Sequence, residues 1–104
     1  MLTKHTAIKK AKQFLIECKQ LPFTIDRAIL FGSVMQGKTT ECSDIDIALF
    51  SEKFSDNILK NLDLVGSVNI RFPDIDVHTY PSAQYKQKGL LMEQIKKTGI
   101  EIKI

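Results

Sequence analysis

The sequence has few of the features that mark secreted, membrane-embedded or nucleic-acid-binding proteins. Its two cysteines, Cys18 and Cys42, lack the spacing of a metal-binding cluster and no secretory leader precedes them, so we expect reduced thiols in a cytoplasmic protein. No apolar run approaches the roughly 20 residues of a membrane-spanning helix, which predicts a soluble protein without a membrane partner. The formal charge of +3 is scattered along the chain rather than concentrated in a basic block, so we expect no nucleic-acid partner.

The composition is that of a small globular protein. With 43% hydrophobic and 26% charged residues over 104 positions, it predicts one domain spanning residues 1–104. A domain of this size has little surface with which to enclose two substrates. We therefore expect a second molecule to complete any two-substrate site.

Hydrophobic periodicity predicts an alternation of helices and strands. Apolar residues at helical spacing indicate a helix over 4–20, a second one that begins after Asn57 and ends near Val65, and a last one from Pro81 to Gly99. Apolar and alternating runs indicate strands over 25–31, 44–50, 75–80 and 100–104. The predicted fold class is α+β, or α/β-like, with a small mixed β-sheet flanked by helices.

Two carboxylates stand at the start of the second predicted strand. Because successive strand side chains point to opposite faces, Asp44 and Asp46 share one face while Ile45 and Ile47 pack from the other. Neighbouring like charges on a strand repel, whereas a bound magnesium ion would favour the pair. The alternative is a strand that starts at the surface, with Asp44 capping a turn.

A Gly-Ser pair ends the preceding strand. Gly32 permits close backbone approach, and a helix starting near Ser33 would offer free N–H groups and a hydroxyl to phosphate oxygens. The alternative is a plain Gly-Ser turn. Together the two motifs predict a phosphate-binding turn followed by paired carboxylates, with ten residues between Ser33 and Asp44.

The stretch from Gly32 to Asp46 resembles the signature of the DNA polymerase beta-like nucleotidyltransferases, and the chain length is similar to that of the minimal nucleotidyltransferases. Several of these are antitoxins encoded beside HEPN-domain toxins. The resemblance implies a polymerase beta-like nucleotidyltransferase core. It also implies a Mg²⁺-dependent enzyme with ATP as the nucleotide donor.

The resemblance also implies roles for individual residues. Gly32 and Ser33 would bind the triphosphate, Asp44 and Asp46 would bind two magnesium ions, and a third carboxylate on a later strand would complete the site and help to deprotonate the acceptor. For that third carboxylate we select Asp76, between two apolar residues of the third strand, over Asp74, which follows a proline.

Two further positions on that strand, His78 and Tyr80, would project from the same face as Asp76. We interpret His78 as a structural or surface histidine and leave both outside the predicted site.

One position departs from the family pattern. Many relatives carry arginine just before the glycine that corresponds to Gly37, and here Gln36 stands there. Lys38 supplies a positive charge for the nucleotide, but without the two-pronged geometry of arginine.

The resemblance further implies transfer of a nucleoside monophosphate, AMP from ATP, to a hydroxyl group of a partner protein, which in HEPN-linked members is the toxin. Two alternatives stand beside it: a catalytically weak module that neutralises its partner by masking it, and a small-molecule nucleotidyltransferase. The sequence leaves open the base preference, the acceptor, the number of nucleotides transferred, the oligomeric state and the effect of Gln36.

Overall fold

The computed structural model describes residues 3–32 and 45–103. In these two stretches the chain forms an α+β fold in which helices flank one mixed β-sheet, which confirms the predicted fold class. The elements, in chain order, are α1 Lys4–Cys18, β1 Arg27–Phe31, β2 Ile45–Ser51, α2 Ile58–Asn69, β3 Ile75–Pro81, a 3-10 helix Ser82–Lys86, α3 Leu90–Thr98 and β4 Ile100–Glu101.

The first helix forms where the periodicity predicts it. The Thr3 hydroxyl caps its first turn by accepting a hydrogen bond from the Thr6 N–H at 3.1 Å. Its buried residues recur at helical spacing, which places one apolar stripe against the sheet. They are Ala7, Ala11, Phe14, Leu15 and Cys18.

The sheet has the strand order β3-β2-β1-β4. Strand β1 is antiparallel to both β2 and β4, whereas β2 and β3 are parallel and are connected through α2. Because β1 runs against its neighbour, its last residues lie beside the first residues of β2 and close to the start of β3. This edge of the sheet therefore collects residues from three strands.

The two faces of the sheet are packed differently. Ile45, Ile47 and Leu49 are fully buried in the main core, together with residues of α1 and α2. On the other face, Ala48 and Phe50 belong to a smaller cluster with residues of α3. The alternation that predicted one buried face for Ile45, Ile47 and Leu49 is confirmed, and Asp46 lies on the face that carries Ala48 and Phe50.

The second helix is longer than the sequence predicts. It begins after the Asn57 cap, as expected, but continues through Gly66 to Asn69 rather than ending near Val65. A glycine inside a helix costs about 1 kcal/mol relative to alanine. Burial of Val68, one turn beyond Val65, offsets that cost, so tertiary packing overrides the local signal.

The prediction of one continuous helix from Pro81 to Gly99 is wrong. The chain forms a 3-10 helix over Ser82–Lys86 and a separate helix α3 over Leu90–Thr98. Between them Gln87 and Gly89 have extended backbone conformations. The ring of Tyr85 packs edge-on against Phe50, with ring centroids 5.6 Å apart, which holds the 3-10 segment on the sheet.

The alternating tail forms a shorter strand than predicted, Ile100–Glu101, although the Ile102 N–H still donates to the Ala28 carbonyl at 2.9 Å. Ile104 lies outside the described residues. Within 3–32 and 45–103, none of the helices has the length and apolar character needed to span a membrane.

Candidate active site

The candidate site lies at the sheet edge where the end of β1 meets the beginnings of β2 and β3. In the strand register Phe31 is paired with Asp46, and Asp46 is paired in turn with Asp76. Both aspartates point to the same face because they occupy equivalent positions of neighbouring strands. The face also carries His78, two residues after Asp76.

The three polar side chains converge. His78 Nε2 lies 3.2 Å from Asp46 Oδ1 and 3.5 Å from Asp76 Oδ2. One potential metal-binding atom from each of the three residues lies within 4.8 Å of the other two. The Asp46 side chain is 26% exposed, that of His78 34% and that of Asp76 56%, so the cluster is open to solvent on the Asp76 side.

Gly32 is fitted closely to Asp46. Its φ is +92°, in the region that disfavours residues with a Cβ. A Cβ added there would overlap Asp46 Oδ2 and lie 3.1 Å from Asp46 Cγ. The glycine at the end of β1 is therefore required both by the backbone conformation and by the space that the carboxylate occupies.

His78 is the group that the sequence interpretation left out of the site. The aromatic ring of Phe31 contacts its imidazole, with ring centroids 5.2 Å apart and planes inclined by 58°. The signal for His78 was present in the alternation of Asp76 and His78, which places both on one strand face. A histidine in an alternating strand is not distinctive by itself, and only the register of β3 against β2 brings it to Asp46.

The two candidates for the third carboxylate have different surroundings. Asp76 is the register partner of Asp46, as the selection of Asp76 expects. Asp74 precedes β3, is exposed, and forms an ion pair with Lys10 of α1 at 2.6 Å. The catalytic assignment of Asp76 stays a prediction. Asp74 is paired with Lys10 and is not part of the cluster around Asp46.

Several predicted site residues lie outside the described part of the chain. They are Ser33, Lys38 and Asp44, together with Gln36 and Gly37. Their proposed contacts with phosphate and metal stay predictions.

Burial alters the acidity of two groups away from the carboxylates. Desolvation raises the pKa of Tyr80, whose ring stacks on Phe50 at 5.3 Å. Desolvation, aided by the charge of Glu17, raises the pKa of the buried Cys18 thiol to about 12. Both groups are neutral near pH 7, so neither serves there as an anionic base or nucleophile.

The family model described as "Polymerase beta, Nucleotidyltransferase" matches residues 9–104. The chain belongs to this nucleotidyltransferase family. The expected family is thus confirmed by a match that includes the strands of the sheet and the whole candidate site. Comparison with curated protein sequences yields no match.

Solved structures with the same fold include nucleotidyltransferases and toxin–antitoxin complexes. A candidate nucleotidyltransferase from Sulfolobus solfataricus superposes with a TM-score of 0.69 at 20% identity, over 94% of this chain and 80% of that one. A toxin–antitoxin with AMP-PNP superposes with a TM-score of 0.60 at 24% identity, over 90% of this chain and 70% of that one. The complex of a tri-AMPylated Shewanella oneidensis HEPN toxin with MNT antitoxin superposes with a TM-score of 0.54 at 21% identity, over 95% of this chain and 71% of that one.

The candidate site has donors suited to a divalent cation. Asp46 and Asp76 offer carboxylate oxygens, the ligands that Mg²⁺ prefers, and both are partly exposed to solvent. Gly32 leaves room beside Asp46 where any larger residue would intrude. The side chains therefore fit the divalent ions that this family commonly uses.

Proposed function

We propose that this protein transfers AMP from ATP to a hydroxyl group of a partner protein in the cytoplasm, and that the partner is a HEPN-type toxin silenced by the modification. The observation that carries the proposal is the convergence of Asp46 and Asp76 beside Gly32 in a nucleotidyltransferase fold. The toxin–antitoxin neighbours support the choice of donor and acceptor, since one contains AMP-PNP, an ATP analogue, and another contains a tri-AMPylated HEPN toxin.

The reaction is a displacement at the α-phosphorus. The acceptor oxygen forms a bond to this phosphorus while the bond from phosphorus to the bridging oxygen of the β-phosphate breaks, and pyrophosphate leaves with that electron pair. The acceptor proton passes to a carboxylate, for which Asp76 is the candidate because it is the more exposed of the two aspartates.

The chain's own residues position the reactants. Asp46 and Asp76, with Asp44 as a predicted third ligand, would hold the magnesium ions; Ser33 and Lys38 are the proposed phosphate contacts. Bound magnesium ions neutralise the triphosphate and the charge that develops on the leaving pyrophosphate. Gly32 allows Asp46 to lie against the end of β1, where a nucleotide held by the proposed phosphate contacts would reach it.

An apolar surface on α3 supports a protein acceptor. Leu90 is 87% exposed and Leu91 is 53% exposed, although both lie in a helix packed on the sheet face that carries Asp46. Exposed leucines on the sheet face that carries the carboxylates offer apolar contacts that a docking protein would bury.

The proposal is tested by incubating the protein with ATP, Mg²⁺ and the HEPN-type protein encoded beside it, followed by intact-mass spectrometry of the partner. We expect a mass increase of one or more adenylate groups with the natural sequence. Asp46→Asn removes a ligand charge and should abolish the increase. Its thermal midpoint without metal should be unchanged or slightly higher, because the substitution relieves repulsion between neighbouring carboxylates.

Asp74→Asn is the matched control, since Asp74 is exposed and paired with Lys10, and this variant should retain transfer. If Asp46→Asn protects against the toxin as well as the natural sequence does, masking replaces modification as the function. Transfer to small molecules without any transfer to the partner would instead favour the small-molecule enzyme.

A further inference from the structure

We infer that His78 is a nitrogen ligand of the divalent ion held by Asp46 and Asp76, and that it makes this site favour Mn²⁺ and other transition-metal ions over Mg²⁺. The inference rests on the proposed function for the presence of an ion at these carboxylates. It goes further by assigning to the site a third donor of a different chemical kind.

The distances from His78 Nε2 to the two carboxylates are close to those between neighbouring ligands of one ion. Adjacent ligands of an octahedral ion with bonds of about 2.1 Å are about 3.0 Å apart. His78 Nε2 lies 3.2 Å from Asp46 Oδ1 and 3.5 Å from Asp76 Oδ2, so each distance is within about half an ångström of that value. A small movement of the side chains would place a cation between them.

The imidazole is held in an orientation that suits this role. It is the Nε2 atom that faces both carboxylates, and the Phe31 ring contacts the imidazole and restricts its rotation. The side chain is 34% exposed, so an ion can reach Nε2 without opening the core. Without a metal, these contacts are hydrogen bonds of the imidazole with the carboxylates. An ion bound at Nε2 would take the place of these hydrogen bonds.

The chemical consequence is selectivity. Carboxylate and water oxygens suit Mg²⁺, whereas an imidazole nitrogen adds affinity for transition-metal ions, following the order in which Mn²⁺ binds less tightly than Co²⁺ or Zn²⁺. Loss of His78 should therefore weaken Mn²⁺ binding far more than Mg²⁺ binding.

The test is pulsed electron paramagnetic resonance of the protein with Mn²⁺ alone, prepared both unlabelled and with ¹⁵N-histidine. A coordinated imidazole couples its nitrogen nucleus to the manganese electrons, so we expect ¹⁴N modulation that changes to the ¹⁵N pattern on labelling. This readout requires no transfer activity. A bound-manganese spectrum without nitrogen coupling, or no bound manganese at all, would overturn the inference.

Variants add a second readout. Calorimetric titration should show that His78→Ala lowers the Mn²⁺ affinity about ten- to a hundredfold, the range found even for groups that only orient a metal ligand. The exposed His5 of α1 supplies the control, and His5→Ala should retain both the affinity and the nitrogen coupling. If His78→Ala fails to fold, the labelled natural sequence still decides.

The result is separable from the proposed function. Nitrogen coupling without AMP transfer would leave the ligand assignment standing and remove the adenylyltransferase proposal. AMP transfer without nitrogen coupling would leave the adenylyltransferase proposal standing and remove the ligand assignment. His78 would then be a hydrogen-bonded neighbour of the carboxylates.

Discussion

At the scale of single residues, Gly32 links the backbone of β1 to the chemistry of β2. Its φ of +92° ends the strand, and the missing Cβ leaves the volume that the Asp46 carboxylate occupies. Both requirements act on one position. A substitution there therefore affects stability and the site together.

Gly32→Ala should lower the free energy of unfolding by about 1–3 kcal/mol, the cost of holding a residue with a Cβ in a disfavoured backbone region. It should also reduce transfer, because the new methyl group displaces Asp46 Oδ2. Urea denaturation and the transfer assay measure the two effects.

Gly66→Ala is the matched control for this substitution. Gly66 lies within α2, and a Cβ added there would meet no atom within 4 Å. Alanine should therefore raise the unfolding free energy by up to about 1 kcal/mol, because it has the higher helix propensity. If Gly32→Ala and Gly66→Ala changed the unfolding free energy and AMP transfer equally, the role assigned to Gly32 would be contradicted.

At the scale of secondary-structure elements, Arg27 connects three of them. It belongs to β1, its guanidinium lies 3.7 Å from the ring centroid of Tyr85 in the 3-10 helix, and it forms an ion pair with Glu101 of β4. Lys96 of α3 lies above the same tyrosine ring, at 4.2 Å. These contacts hold the C-terminal elements on the sheet face that carries the candidate site.

Arg27→Ala should lower the free energy of unfolding by about 1–2 kcal/mol, the combined size of a partly exposed cation–π contact and an exposed ion pair. Arg71→Ala removes a single exposed ion pair with Glu17 and should cost less than about 1 kcal/mol. Chemical denaturation of both variants tests the comparison. A larger loss for Arg71→Ala would show that the Arg27 contacts do not stabilise the fold.

At the scale of the whole molecule, the sheet has one well-covered face and one that carries both the candidate site and an apolar surface. The main core with α1 and α2 fills the first face, whereas a smaller cluster with α3 covers part of the second. The site is thus accessible from the side where Leu90 and Leu91 are exposed. A protein acceptor approaching that side would bury the leucines and present its hydroxyl to the carboxylates.

Replacing both Leu90 and Leu91 with lysine should prevent co-elution of the partner in size-exclusion chromatography with light scattering. The unfolding free energy should change by less than about 0.5 kcal/mol, because both side chains are at the surface. Leu59→Lys is the control, since Leu59 is 76% exposed on α2, over the opposite face, and should leave the complex intact. If the double variant still co-elutes, the partner docks elsewhere.

The fold could be predicted from the sequence wherever local signals agree with packing. The first helix and the central strands follow from hydrophobic periodicity, and the start of α2 follows from the Asn57 cap. The prediction fails in two places. Burial of Val68 carries α2 through Gly66, and the extended backbone at Gln87 and Gly89 separates the 3-10 segment, whose Tyr85 packs on Phe50, from α3.

The sequence by itself determined the family and the fold class, because these depend on motif spacing and on the hydrophobic periods of helices and strands. Only the tertiary structure decided which distant groups meet. The parallel register of β2 and β3 places Asp76 and His78 beside Asp46, whereas α1 brings Lys10 to Asp74. These long-range contacts depend on strand order, register and helix placement. Those features arise from burial across the whole chain and cannot be read from a local stretch of sequence.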